Sequence, residues 1–169
     1  MMTQVIDNFL DEEDFKSIQD YLMGSDISWL KSPVLREGSL HPPDLEDMRD
    51  NIQFWHPFYM DDEPTHDDVN VLRPIIKKLD VKALLRIKAN ITMRTPEIIE
   101  HGYHTDYPFG GFKTAIFYIN TNDGYTQIKN GRRVESVENR LLEFSGELLH
   151  TGTTCTDQQC RVVINFDYF

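Results

Sequence analysis

The spacing of apolar residues divides this chain into two textures. Between residues 11 and 23, Phe15, Ile18, Tyr21 and Leu22 recur at helical spacing. Asp11 stands where an N-cap would and Gly24 stops the run, so the pattern predicts an amphipathic helix over 11–23. Residues 25–64 show no sustained period. Pro33, Pro42, Pro43, Pro57 and Pro64 interrupt every candidate element there, and an irregular segment is expected. Its large residues Trp29, Trp55 and Phe58 are expected in the core rather than at a contact surface. A second helix is expected from Asp67 or Asp68, carrying Leu72, Ile75, Ile76 and Leu79. Pro74 falls in its first turns, where a missing N–H does no harm.

From residue 83 the texture changes to short strands and turns. ALLRIKANITM (83–93) and the denser TAIFYIN (114–120) read as strands. YTQIKNGRRVESV places Asn130-Gly131 between two alternating runs, a hairpin signal. RLLEFSGELLH (140–150) holds two apolar runs around Ser145-Gly146, and RVVINFDYF (161–169) is a last strand. Helices first and at least six strands afterwards predict a mainly β chain with flanking helices (α+β). The expected architecture is a jelly-roll or cupin-like barrel, a double-stranded β-helix with helices on one outer face. Residues 1–169 read as one domain, with helical support over about 1–82 and a β core over about 83–169.

Composition agrees with a single packed domain: 40% of residues are hydrophobic, with ten Phe, seven Tyr and two Trp. Seventeen basic residues against 28 acidic ones give a net charge of −11. Such a surface repels phosphate backbones and favours a basic partner, so no nucleic acid is expected. The start, MMTQVIDNFLDEEDF, lacks a basic segment followed by an apolar run, and no stretch approaches the roughly 18 apolar residues of a membrane span. Cys155 and Cys160 are too few for a disulfide scaffold, and reduced thiols in the cytoplasm are expected.

The candidate chemistry begins at His104-Thr105-Asp106. Alternate residues of an extended backbone point the same way, so this imidazole and carboxylate can converge on one ion. His150 follows the apolar run Leu148-Leu149 and precedes Thr151-Gly152, where a buried strand opens into a loop. Two His and one carboxylate would leave half of an Fe(II) coordination sphere open. Zinc can use the same ligands with water, so the triad alone leaves the metal undecided.

Arg161 stands eleven residues later, at the head of the last apolar strand. Counting by twos, Arg161, Val163 and Asn165 share one face, while Val162, Ile164, Phe166 and Tyr168 form an apolar one. A buried Arg needs an anion. Either an internal salt bridge or the distal carboxylate of a dicarboxylic acid would satisfy it. In TAIFYIN, Thr114, Ile116 and Tyr118 share a face, and the Tyr118 hydroxyl beside the Arg would add a donor; a core aromatic is the plain alternative.

HTD (104–106), TAIFYIN, ELLHTGT (147–153) and RVVINFDYF, in this order, resemble the 2-oxoglutarate/Fe(II)-dependent oxygenase superfamily in its prolyl-4-hydroxylase-like branch. The pattern spans about residues 84–169, and HTDYPF and the compact length resemble its small phage and bacterial members. The resemblance implies His104, Asp106 and His150 as the catalytic iron ligands. It implies Arg161 as the cosubstrate-binding residue at the C5 carboxylate of 2-oxoglutarate, with Tyr118 in support and Asn165 as a lesser candidate. Fe(II), 2-oxoglutarate and O2 are then the cofactors and cosubstrates, with ascorbate as an optional reductant. The implied reaction hydroxylates a C–H bond, of a prolyl or other residue in a peptide or of a free small molecule, releasing succinate and CO2. A phage-encoded member would act in the host cytoplasm.

Two departures stand out. Asn90-Ile91-Thr92 keeps the Asn of the family's Asn-x-Tyr and replaces its Tyr, and the paired Gly of animal prolyl hydroxylases is missing. The rival readings are a Zn-dependent hydrolase on the same triad, a cupin-type metalloprotein lacking its HxH pair, and a catalytically silent jelly-roll binding module.

Overall fold

The computed structural model describes residues 3–34 and 52–169. The elements run β1 (Gln4–Ile6), α1 (Glu12–Met23), β2 (Leu30–Pro33), β3 (Ile52–Met60), β4 (Glu63–Pro64) and a 3-10 helix (Asp67–Leu72) leading into α2 (Arg73–Lys78). The strands β5 (Leu84–Met93), β6 (Lys113–Tyr118), β7 (Tyr125–Ile128), β8 (Arg133–Glu135), β9 (Arg140–Ser145), β10 (His150–Gly152) and β11 (Cys160–Tyr168) follow. They form two antiparallel sheets. The larger is ordered β1-β9-β6-β11-β5-β3-β2, with β4 on β3, and the smaller is β10-β7-β8.

The two faces of the larger sheet bury different things. Phe15, Ile18 and Leu22 of α1, with Leu72 and Ile75, pack on Ile87, Ala89, Ala115, Phe117, Val162, Ile164 and Phe166. That stripe of i, i+3 and i+7 positions is why 12–23 is helical, and the Asp11 carboxylate caps it by accepting from the Asp14 N–H at 2.9 Å. On the opposite face, Ile116, Tyr118, Leu142, Phe144 and Val163 meet Ile128 and Val134 of the smaller sheet. This is the expected jelly-roll sandwich with helices on one outer face.

The 25–64 segment departs from expectation. It contributes β2 and the nine-residue β3, which pairs with β5 from Phe54↔Ile91 to Tyr59↔Ile87. Pro57 is tolerated because the register shifts between Pro57 and Tyr59, a bulge where no ladder N–H is required. Pro33 closes the edge strand β2, while Pro42 and Pro43 lie outside the described residues. The amino-terminal part is therefore more than helical support, since four of its strands join the sheet. The second helix begins as a 3-10 segment at Asp67, and its α-helical part starts only at Arg73, with Pro74 in its first turn. Phe58 is core and Trp29 packs on it, but Trp55 belongs to neither apolar cluster. No described helix is long and apolar enough to cross a membrane.

Candidate metal centre

His150 opens β10, and its backbone exchanges two hydrogen bonds with His104, each 3.0 Å. Directly opposed residues of an antiparallel pair project to the same side, so both imidazoles face inward with centroids 4.7 Å apart. Asp106, two residues beyond His104, completes the group: the ligand atoms of His104, Asp106 and His150 all lie within 4.8 Å of one another. The local backbone also orients the rings. Nδ1 of His104 lies 3.0 Å from the Gly102 carbonyl, and Nδ1 of His150 lies 3.2 Å from that of Leu148. Each Nδ1–H donates outward, which leaves the Nε2 lone pair for the interior.

Those inward atoms lack protein partners. His150 Nε2 and Asp106 Oδ2 are buried, make no hydrogen bond among the described residues, and lie 3.5 Å apart. Burial lowers the His150 pKa to about 4, so the ring is neutral. Burial alone would raise Asp106, but the adjacent Arg86 guanidinium outweighs it and keeps the carboxyl below its ordinary range. Two imidazoles and a carboxylate, with orphaned lone pairs converging on one point, fit a divalent transition ion.

Arg86 of β5 holds the carboxylate in place. Its Nη2 donates to Asp106 Oδ1 and lies 2.8 Å from Asp167 Oδ2, to which its Nε donates at 3.0 Å. Asp167 also accepts from the Thr114 hydroxyl at 2.8 Å. Burial and the Asp106 charge push the Asp167 carboxyl up to about 7, against the pull of Arg86. One oxygen of Asp106 is thus fixed by an arginine, and the other faces His150 Nε2 across the candidate metal site.

The same cavity, about 210 Å³, extends to Arg161. Arg161 is 4% exposed, yet its guanidinium has no carboxylate partner among the described residues. Its Nε donates to Ser136 Oγ at 2.8 Å and its Nη2 to Thr126 Oγ1 at 3.1 Å. The Tyr118 ring centroid lies 5.7 Å from Cζ, and the buried Tyr118 hydroxyl is without a hydrogen bond. Glycine makes room for the side chain: a Cβ on Gly124 would stand 2.7 Å from Arg161 Cδ and 2.7 Å from the Thr154 carbonyl oxygen.

The structure brings together His104, Asp106, His150, Arg161 and Tyr118. It also places Asn90 and Asn165 on the cavity wall, each with a buried, unpartnered Oδ1. Sequence reasoning missed Arg86, Lys88 and His101. His101 lines the cavity with an unpartnered Nε2 and is held neutral, near 4, by burial and by Arg161. The available signal was the alternation Arg86, Lys88, Asn90, Thr92, a polar face on an otherwise apolar strand. In the 101–113 loop, Tyr107, Phe109 and Phe112 pack on one another with centroids 5.1–5.6 Å apart, so loop packing accounts for these aromatics.

No family model and no curated protein matches the sequence. Solved structures do match the fold. A prolyl hydroxylase from Trichoplax adhaerens, in complex with a hypoxia inducible factor oxygen degradation domain peptide fragment, superposes with a TM-score of 0.62 at 14% identity, covering 99% of this chain and 83% of that one. A 2OG-Fe(II) oxygenase family oxidoreductase from Burkholderia pseudomallei gives 0.65 at 10%, over 98% and 84%. HygX from Streptomyces hygroscopicus, with nickel, 2-oxoglutarate and hygromycin B bound, gives 0.61 at 12%, over 98% and 82%. The fold is that of the 2-oxoglutarate/Fe(II) oxygenases.

Proposed function

We propose that this chain is an Fe(II)- and 2-oxoglutarate-dependent dioxygenase that hydroxylates a C–H bond and releases succinate and CO2. One observation carries the reading. Among the described residues Arg161 is buried without an anion, in the cavity that holds the His104–Asp106–His150 cluster. A buried, unpaired guanidinium costs several kcal/mol, and a carboxylate entering the cavity would recover that cost through a charge-assisted, two-pronged contact.

When bound, the iron supplies dioxygen activation coupled to decarboxylation of the 2-oxo acid. His104, Asp106 and His150 are the residues that would hold it. Arg161 orients the cosubstrate by its distal carboxylate, with the unpartnered Tyr118 hydroxyl as a further donor. Ile116 and Val163 give the cavity an apolar wall that limits water near the reacting C–H. A Zn-dependent hydrolase would use the triad but has no role for Arg161.

The substrate is a peptide segment or a small molecule. Relatives of this fold were seen with each, the Trichoplax enzyme with a peptide and HygX with hygromycin B. The chain's net charge of −11 favours a basic partner at the outer surface. Two buried, unpaired cysteines suit the reducing cytoplasm.

Anaerobic calorimetry with Mn(II) and 2-oxoglutarate tests the proposal. The wild type should bind 2-oxoglutarate only with metal present. Asp106→Ala should lose metal binding and, with Fe(II) in air, succinate formation, while Arg161→Ala should weaken 2-oxoglutarate and keep the metal. If 2-oxoglutarate affinity is indifferent to Arg161, the assignment falls.

A further inference from the structure

The cavity carries one more cation than a metal ion and a dicarboxylate would use. Its lining holds three basic side chains, Arg86, Lys88 and Arg161. Arg86 is answered by Asp106 and Asp167, and Arg161 belongs, on the reading above, to the cosubstrate. Lys88 remains. Among the described residues its ammonium has no carboxylate partner and no hydrogen bond. Its one described contact is the face of Trp55, 5.3 Å from Nζ to the ring centroid. That contact positions the ammonium, and Asp106 and Asp167, both held by Arg86, act on its charge only at a distance.

Lys88 is placed to meet a molecule lying over the centre of the β5–β11 ladder. It stands directly opposite Asn165, with Arg86↔Asp167 to one side and Asn90↔Val163 to the other. Asn165 and Asn90 flank it on the cavity wall, where their side-chain amide N–H groups are the donors an incoming anion could use, and Gln53 of β3 adds a further amide on the same wall. Burial and the nearby Arg86 lower the Lys88 pKa to about 8. A cation this poorly solvated gains from an incoming anion.

A count of charges gives the valence of that anion. Among the described residues, a divalent ion, three basic side chains and two carboxylates leave three positive charges in and behind the cavity wall. A dianionic cosubstrate leaves one, and protonation of Asp167 would only enlarge the excess. We infer that Lys88, steadied by Trp55 and flanked by Asn90 and Asn165, is the anchor for a carboxylate group on the substrate. The inference rests on the proposed oxygenase function. It narrows the substrate class to acids: a free amino or hydroxy acid, or a peptide presenting an acidic side chain or its own carboxyl terminus. The acidic outer surface acts at long range, whereas Lys88 acts in contact, so the two charges address different parts of a partner.

Acetate serves as the carboxylate probe and acetamide as its neutral counterpart, titrated by NMR into protein loaded with Zn(II) and 2-oxoglutarate. Acetate should bind saturably, at least about tenfold more weakly in Lys88→Met, with binding restored in Lys88→Arg, and acetamide should not compete. Affinity for 2-oxoglutarate should stay within about twofold in Lys88→Met. Acetate binding that ignores the Lys88→Met change would overturn the inference. So would a loss of 2-oxoglutarate affinity in Lys88→Met as deep as in Arg161→Ala, since Lys88 would then serve the cosubstrate's own carboxylate. Failure of the oxygenase reading shows separately, as absence of 2-oxoglutarate binding to the wild type before any acetate is added.

Discussion

The two ends of the β5–β11 ladder present the same residue type in opposite circumstances. Arg86, paired across from Asp167, and Arg161, paired across from Thr92, face one cavity from positions six residues apart along β11, about 20 Å. The Arg86 guanidinium is saturated: two carboxylates take its Nε and Nη2, and one of them belongs to the candidate metal cluster. Among the described residues the Arg161 guanidinium meets only two hydroxyls and an aromatic ring. A chain with 28 acidic residues had ample means to neutralise both. One end is closed by the protein itself, and on the proposed function the other is completed by a ligand. A buried charge is thus diagnostic of function through what it lacks, and its burial alone would not have distinguished the two ends.

The largest expected effect comes from breaking the saturated end. Arg86→Met strands Asp106 and Asp167 in a buried site, and removing one partner of a buried ion pair costs about 3–5 kcal/mol. For a domain of this size the melting temperature should fall by roughly 10 °C. Metal affinity should fall with it, because the Asp106 oxygens are no longer sorted into one fixed and one free. Adding Asp167→Asn should recover part of the stability but not the metal affinity. A melting temperature within about 2 °C of wild type in Arg86→Met would erase the contrast between the two ends.

Breaking the open end should do the reverse. Arg161→Met removes an unanswered charge and leaves no acid behind, so the melting temperature should hold or rise. Affinity for 2-oxoglutarate should drop about 100-fold, the worth of a charge-assisted, two-pronged contact of nearly 3 kcal/mol. Differential scanning fluorimetry and calorimetry on the same samples check both halves. A fall in melting temperature comparable to that of Arg86→Met would mean that Arg161 is structural after all.

A subtler change leaves every charge in place and moves only the position of one guanidinium. A methyl group at Gly124 would meet Arg161 Cδ, the Thr154 carbonyl and Asn122 Oδ1 at 2.7–2.8 Å, and the backbone oxygen cannot swing aside. At Gly152 the same methyl would come within 3.4 Å of Arg161 Nη1, a contact that a slight shift relieves. Gly124→Ala should therefore cost about 1–2 kcal/mol, seen mainly as weaker 2-oxoglutarate binding, and Gly152→Ala much less. Equal effects at the two glycines would show that the placement of Arg161 is not what binding depends on.

How much of this was legible in the sequence follows from what each signal measures. Arg161 was found because β11 was counted by twos, which set one cation against four apolar residues on the other face. Arg86 and Lys88 were missed although β5 has the same construction: Arg86, Lys88, Asn90 and Thr92 against Leu85, Ile87, Ala89 and Ile91. The overall β propensity of that run predicts a strand but averages over both faces. Periodicity would have placed Arg86 inside. It could not have supplied the partners, which come from 20 and 81 positions away and depend on the folded register. The HxD and His150 were legible because their spacing and flanking apolar runs are local. β3 was not, because Pro57 reads as a breaker until the bulge that excuses it is seen.

The smallest predicted effect concerns the third cation, and it tests whether an unanswered charge carries the same cost wherever it lines this cavity. Lys88 has a pKa of about 8 in the fold against 10.5 for the free side chain. The folded protein therefore gives up this proton earlier than the unfolded chain does. Below pH 8 both states are charged and the full penalty of burying the ammonium weighs on the fold. Between about 8 and 10.5 the unfolded state binds more protons, so this group's contribution to stability rises with pH. Lys88→Met should remove the penalty at neutral pH, raising stability by about 1 kcal/mol once residual solvent screening is allowed for, or about 2–4 °C. The difference between variant and wild type should shrink as the pH is taken from 8 towards 10. Melting curves of the metal-free protein at pH 7 and pH 10 give both numbers. A variant less stable than wild type at pH 7 would mean that the Trp55 contact already compensates the charge. Lys88 would then belong with Arg86 as a satisfied residue, and only the Arg161 end would be left open.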